Sequence, residues 1–239
     1  MAEDAGIIIK TVTISLSLFG TICLYMLSGM LYRRSGRKAY MTPLLVCPII
    51  IGTILLVGDI SYESYASGGR YVTLFLGPAT VAFAVPLYKN LKLFKIYYVR
   101  LLTVISIACG IALLSSFELA RWIGLGRELA YSIAPRSVTT PLAIAASDVM
   151  GGDPTVTAVL VILTGIIGML FASLLIEKAG VKNSFLKGML LGITAHGTGT
   201  AKAYEDGQKT GVIASLSMIF MGIFTTIIAP VFAVYSAAL

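Results

Sequence analysis

Charge is what this chain has least of. Only 12% of its 239 residues are Asp, Glu, Lys or Arg, about half the share usual in a soluble domain. Histidine occurs once and cysteine three times. A single histidine cannot supply the clustered ligands of a zinc protease. Cys23, Cys47 and Cys109 are too widely spaced for a disulfide framework or a zinc site, so they read as small thiols buried in apolar segments. There is no Gly-x-Ser-x-Gly elbow, and Gly197-Thr198-Gly199 follows no strand of a βαβ unit. No paired aspartates suggest an intramembrane protease. The expectation is therefore a protein without enzymatic activity, cofactor or bound metal. The net charge of +7 does not point to nucleic acid either. Its basic residues stand in short clusters between apolar runs, as in cytoplasmic loops, and form no continuous electropositive face.

Long uncharged runs fill the space that charge leaves. Hydrophobic residues make up 57% of the chain, and the mean hydropathy is +0.92. The runs cover 11–32, 39–58, 71–88, 101–117, 154–176 and 210–239. A helix crosses the hydrocarbon in roughly 20 residues, and inside lipid it satisfies its own backbone groups. The runs lack the strict alternation of a transmembrane β-barrel. This predicts an all-α polytopic membrane protein of roughly seven to nine segments, a single domain over 1–239. The acidic start MAEDAGIIIK is unlike a signal peptide, so the first run is read as a helix that stays. Arg33, Arg34, Arg37 and Lys38 place the first loop inside and the N-terminus outside. Asp59 and Glu63 belong to a polar connection over 59–70.

Three segments are too broken or too short for plain spanning helices. The first, 71–88, contains Gly77, Pro78 and Pro86; the second, 131–149, contains Pro135 and Pro141. The third, 188–201, meets Lys202 after a short apolar stretch rich in glycine and threonine. Discontinuous or re-entrant helices are expected there, with breaks at Gly77, Pro78, Pro135 and Pro141 and again around 196–200. Topology stays open at the second segment. If 131–150 crosses fully, Lys178, Lys182 and Lys187 lie outside, against the charge rule; if it re-enters, they return to the cytoplasm. The order of long and broken segments divides into halves 1–120 and 121–239. One reading is an internal two-fold repeat, whose interrupted helices mark a transporter site. The other is that any eight-helix chain can be halved this way.

Arg136 is the most informative charge. It stands between two prolines, beside Ser137, Thr139 and Thr140. A guanidinium in an apolar segment is kept for a partner, and its planar fork matches a carboxylate or phosphate. The alternative is an interfacial arginine that snorkels or pairs with Glu128. His196 also has two readings. With Gly197, Thr198, Gly199 and Thr200 it can belong to an opened helix facing a substrate, and its imidazole can couple a proton to transport. Otherwise it is a neutral histidine bonded to a nearby carbonyl among small packing residues. Thr80 offers one hydroxyl and helps to shape the site. Asp148 and Asp153 border an interruption and serve either as proton or cation acceptors or as loop residues.

LGPATVAFAVPLYK (76–89), SIAPRSVTTPLAIAASDVMGG (132–152) and GITAHGTGTAKAYEDG (192–207) resemble, in order and spacing, the signature stretches of the LrgB/CidB family. The likeness runs across essentially the whole chain. Arg136 matches the basic residue before SVTTP, whereas Ala195 replaces the serine usual before the histidine; Thr194 and Thr198 are the available substitutes. The resemblance implies a multipass protein of the bacterial cytoplasmic membrane, acting with a small LrgA/CidA-like membrane partner. It implies transport of a small monocarboxylate of the pyruvate, glycolate or glycerate type, or else an antiholin-like regulator of murein hydrolase export and autolysis. It further implies a core moving against a dimerising scaffold, hence a homodimer. The substrate contacts expected are Thr80, Arg136, Ser137, Thr139, Thr140 and His196 to Thr200.

Overall fold

The computed structural model describes residues 2–36, 39–82 and 84–237. Among these the regular structure is helical throughout, and four helices are long and apolar enough to cross a membrane: Thr11–Arg34, Leu91–Trp122, Pro154–Lys178 and Gln208–Ser236. The protein is an all-α membrane protein. The remaining expected segments are shorter pieces. The chain divides into two compact units, one ending at Thr80 and the other starting at Val81.

In the first unit, α1 (Ala2–Arg34) packs against α2 (Pro43–Val57) and α3 (Tyr62–Thr73). Pro43 opens α2, where its missing N–H costs nothing. The stretch 59–70, expected as a polar connection, is mostly helix. Ser61 caps α3 by accepting from the Ser64 N–H, and Tyr65 OH and Thr21 Oγ1 lie 2.9 Å apart. Gly68 lets α3 approach α1 closely. A Cβ there would stand 2.5 Å from the Ile14 carbonyl oxygen and 2.7 Å from Ser17 Cβ. The expected break at Gly77 and Pro78 is corrected as well. After a turn at Leu74 and Phe75, both residues lie in the first turn of α4 (Leu76–Ala82), where proline fits without disturbing a helical bond.

In the second unit, α5 (Ala84–Lys89) leads into α6 (Leu91–Trp122). This helix runs in the same sense as α11 (Gln208–Ala237), joined by Phe94–Phe220 stacking, Cys109 Sγ to Thr225 Oγ1 at 3.2 Å, and an edge contact of Phe117 with Phe232. Between them come α7 (Arg127–Ile133), α8 (Thr140–Met150), α9 (Pro154–Lys178) and α10 (Ser184–Glu205).

The C-terminal ends of α7 and α8 meet, so the stretch of turns that follows α7, together with α8, forms a hairpin. Ser132 Oγ accepts from the Asp153 N–H at 2.7 Å. Thr157 Oγ1 lies 2.7 Å from Ser147 Oγ and 3.1 Å from the Ser132 carbonyl. Gly152 closes the base, since a Cβ there would stand 2.7 Å from the Ser132 nitrogen. The chain therefore leaves this base, turns over 134–139 and returns; 131–150 does not cross. Pro135 stands in that turn. Pro141 does not break a helix: it occupies the first turn of α8, where φ near −65° is already helical.

Helix α10 is a second hairpin. A continuous helix would hold the Lys187 and Asp206 α-carbons about 28 Å apart, yet Lys187 Nζ and Asp206 Oδ2 are 3.9 Å apart. The turn is at His196, with φ +36° and ψ −117°. Beyond it, Gly199 packs on the Leu191 carbonyl so closely that any Cβ would collide.

Helix α9 starts at the base of the first hairpin, where Asp153 caps it through the Val156 N–H at 2.8 Å. It ends at Lys178, and Glu177 shares a cavity with Lys187 and Asp206 at the base of the second. The hairpins thus enter from opposite ends of α9, and their tips meet beside its middle.

Candidate functional site

A cavity of about 660 Å³ lies where the tips converge. From the first hairpin it receives Arg136 and Ser137, from the second Ile193 and Thr194, and from α9 Thr164 and Gly168. Leu163, Phe171 and Met221 contribute to an otherwise apolar wall. Arg136 is half-buried. Its guanidinium makes no ion pair or side-chain hydrogen bond with any described residue, Glu128 included. A half-buried cation without a partner among the described residues, in a cavity without an acidic residue, can bind an anion.

Two helix N-termini stand at the hairpin tips, though their first residues do not line the cavity. Helix α8 begins at the tip of its hairpin, and Thr139, its N-cap, makes no side-chain capping bond. The second half of α10, over 197–205, begins at the other tip. Unsatisfied N–H groups and the positive end of the dipole favour negative charge at such termini. Thr139 is 6% exposed, and its Oγ1 has no hydrogen-bond partner.

His196 is placed otherwise. It is 6% exposed and does not line the cavity. Its Nε2 lies 3.1 Å from the Val161 carbonyl, as a donor in the tautomer that carries the proton there. The ring rests on Gly165; a Cβ at that position would stand 2.7 Å from His196 Cε1 and 2.9 Å from Thr198 Oγ1. A non-glycine residue at φ +36° stores about 1–3 kcal/mol of backbone strain, and the Val161 bond and the Gly165 contact hold it in place.

Of the other expected contacts, Thr140 is the first residue of α8, and Gly197 is exposed at the second tip. Thr198 is buried beside Gly165 of α9, Gly199 against the first half of α10 itself, and Thr200 beneath α11, with Thr200 Oγ1 donating to Met218 Sδ at 3.7 Å. Gly77 and Pro78 belong to α4, and the Thr80 side chain lies outside the described residues. Asp153 is a helix cap. Among the described residues no cluster of His, Cys, Asp or Glu could hold a metal ion. Sequence reasoning missed Thr164 and Gly168. Their signal was a hydroxyl and a small residue inside an otherwise unbroken apolar run.

The second unit thus has two opposed helical hairpins whose tips meet at a largely apolar cavity that carries one cation, within an all-α membrane protein. The chain matches the LrgB-like family over residues 21–235 and belongs to it. It is 43% identical to the protein YwbG of Bacillus subtilis, across 90% of this chain and 95% of that one. It is 31% identical to antiholin-like protein LrgB of Bacillus cereus and of Bacillus anthracis, across 93% of this chain and 97% of each relative. No solved structure matches it.

Proposed function

We propose that this protein carries a small monocarboxylate, of the pyruvate, glycolate or glycerate type, across the bacterial cytoplasmic membrane, with Arg136 as the carboxylate contact. One observation carries the reading: the unpaired guanidinium stands where two oppositely directed hairpins meet. A single cation suits a monoanion, with Ser137, Thr164 and Thr194 supplying neutral hydroxyls for the rest of a short polar acid. The charge rule supports the orientation. Lys178, Lys182, Lys187, Lys202 and Lys209 lie at the end of α9 where the second hairpin enters, which makes that face cytoplasmic. The internal repeat, expected as 1–120 and 121–239, takes a tighter form in this reading. Helix α6 with the α7–α8 hairpin and α9 with the α10 hairpin are the paired, inverted units.

The hairpins differ in how they are held. At their bases, the first is closed by hydroxyl bonds and the second by a part-exposed ion pair at 3.9 Å, while close glycine contacts seat the second against α11. We assign the moving gate to α10, with His196 at its hinge and as the site of any proton coupling. A homodimer and a small LrgA/CidA-like partner complete the proposed assembly. The second reading, an antiholin-like regulator of murein hydrolase export and autolysis without transport of its own, draws support from the names of the Bacillus cereus and Bacillus anthracis relatives. Purified protein in liposomes decides between them: uptake of labelled pyruvate, glycolate and glycerate is measured with and without a pH gradient. Saturable uptake of one of them supports the carrier; none, with folded protein in the membrane, leaves the regulator.

A further inference from the structure

A second cavity, of about 600 Å³, lies between α6 and the first half of α10. One wall is Arg100, Thr103, Val104 and Ala108, at helical spacing along a single face of α6; the other runs along α10 from Phe185 to Thr194. Apart from Arg100 and two threonine hydroxyls the lining is apolar, and Val99, Val104 and Leu186 are exposed along it. Each wall rises roughly 12–14 Å at 1.5 Å per residue, close to half the ~30 Å hydrocarbon thickness. The groove therefore has the length of one leaflet.

Its charged end is on the lysine-rich side. Arg100 is the first charge met on leaving the uncharged run 101–117 in that direction, and Lys92 and Lys95 precede it. Tyr97, one turn away, packs its ring against Phe185 with centroids 4.7 Å apart, and Lys209 Nζ lies 5.7 Å from the same ring. Such aromatic and basic groups sit at the level of lipid headgroups. Arg100 forms no ion pair with any described residue. An exposed guanidinium above an apolar groove one leaflet long matches a phosphate above an acyl chain.

We propose that this groove binds one anionic phospholipid of the lysine-rich leaflet, its phosphodiester on Arg100 and an acyl chain between α6 and α10. The site is separate from Arg136 and stands whether or not the protein is a carrier. The two cavities share Leu190, Ile193 and Thr194 as a wall, so the bound chain braces the half-helix that carries the second tip.

The test is native mass spectrometry of the full-length protein in mild detergent, titrated with phosphatidylglycerol or phosphatidylcholine of equal chain length. Phosphatidylglycerol is retained preferentially, and Arg100→Gln weakens that retention by roughly five- to tenfold while Arg100→Lys largely restores it. Ala108→Phe, which fills the groove and leaves Arg100 in place, also abolishes the preference. It decides the matter alone if Arg100→Gln does not elute as a single folded species. Equal retention of the two lipids by the parent protein overturns the proposal. So does undiminished phosphatidylglycerol binding in a folded Arg100→Gln or Ala108→Phe variant.

Discussion

Replacing Arg136 tests the carboxylate contact directly. The guanidinium is half-buried and unpaired among the described residues, so its substitution breaks no internal ion pair and the effect falls on the ligand. A hydrogen bond to a charged group contributes about 1.5–3 kcal/mol. Partial exposure of Arg136 places it in the lower part of that range, about 2 kcal/mol, or roughly 30-fold in affinity. Arg136→Gln should therefore raise the half-saturating substrate concentration by about that factor. Arg136→Lys keeps the charge and loses the second prong of the fork; a loss near 1 kcal/mol gives roughly fivefold. The assay is substrate binding or uptake in liposomes, normalised to folded protein in the membrane. Arg127→Gln, at the start of α7, serves as the control with unchanged affinity. If both Arg136 variants stay within about twofold of the parent, the carboxylate does not dock at Arg136.

The remaining predictions concern the hairpins. Gly165→Ala pushes a methyl group into the His196 ring and Thr198, and such overpacking should destabilise the protein by about 1–3 kcal/mol; a thermal melt reads this, and an unchanged melting temperature denies that the tip is seated on α9. Thr157→Val removes the hydroxyl that ties Ser147 to the Ser132 carbonyl and should cost about 1–3 kcal/mol, whereas Lys187→Gln, at a part-exposed ion pair, should cost under about 1 kcal/mol while changing the rate of transport. Equal stability losses and unaltered rates would argue against α10 as the moving element. His196→Gln keeps a donor toward the Val161 carbonyl and removes the only titratable group there. If His196 couples a proton, substrate-driven proton movement in vesicles falls while counterflow exchange survives, and identical proton flux assigns the residue to structure alone.

The scarcity of charge was enough to place this chain in a membrane, because a backbone stripped of water has to satisfy its own hydrogen bonds and helices do so locally. The long runs at 11–32, 101–117 and 154–176, and the run from 210 as far as the described residues go, each correspond to a full-length helix. The prolines and glycines near 135 and 196 marked where helix could not continue. Tertiary structure alone decided what those interruptions do. Hydropathy cannot distinguish a segment that crosses from one that turns back, since both exchange water for apolar surroundings. Ser132 with Asp153, and Lys187 with Asp206, made that distinction by joining residues far apart in sequence. The same limit hid the cavity. Thr164 looks like any hydroxyl in an apolar run until the two tips bring Arg136 and Thr194 to it. His196 resembles a substrate ligand until Val161 and Gly165 turn its ring toward α9. Local sequence determines whether a stretch is helical and apolar; which polar groups face one another depends on how distant helices pack.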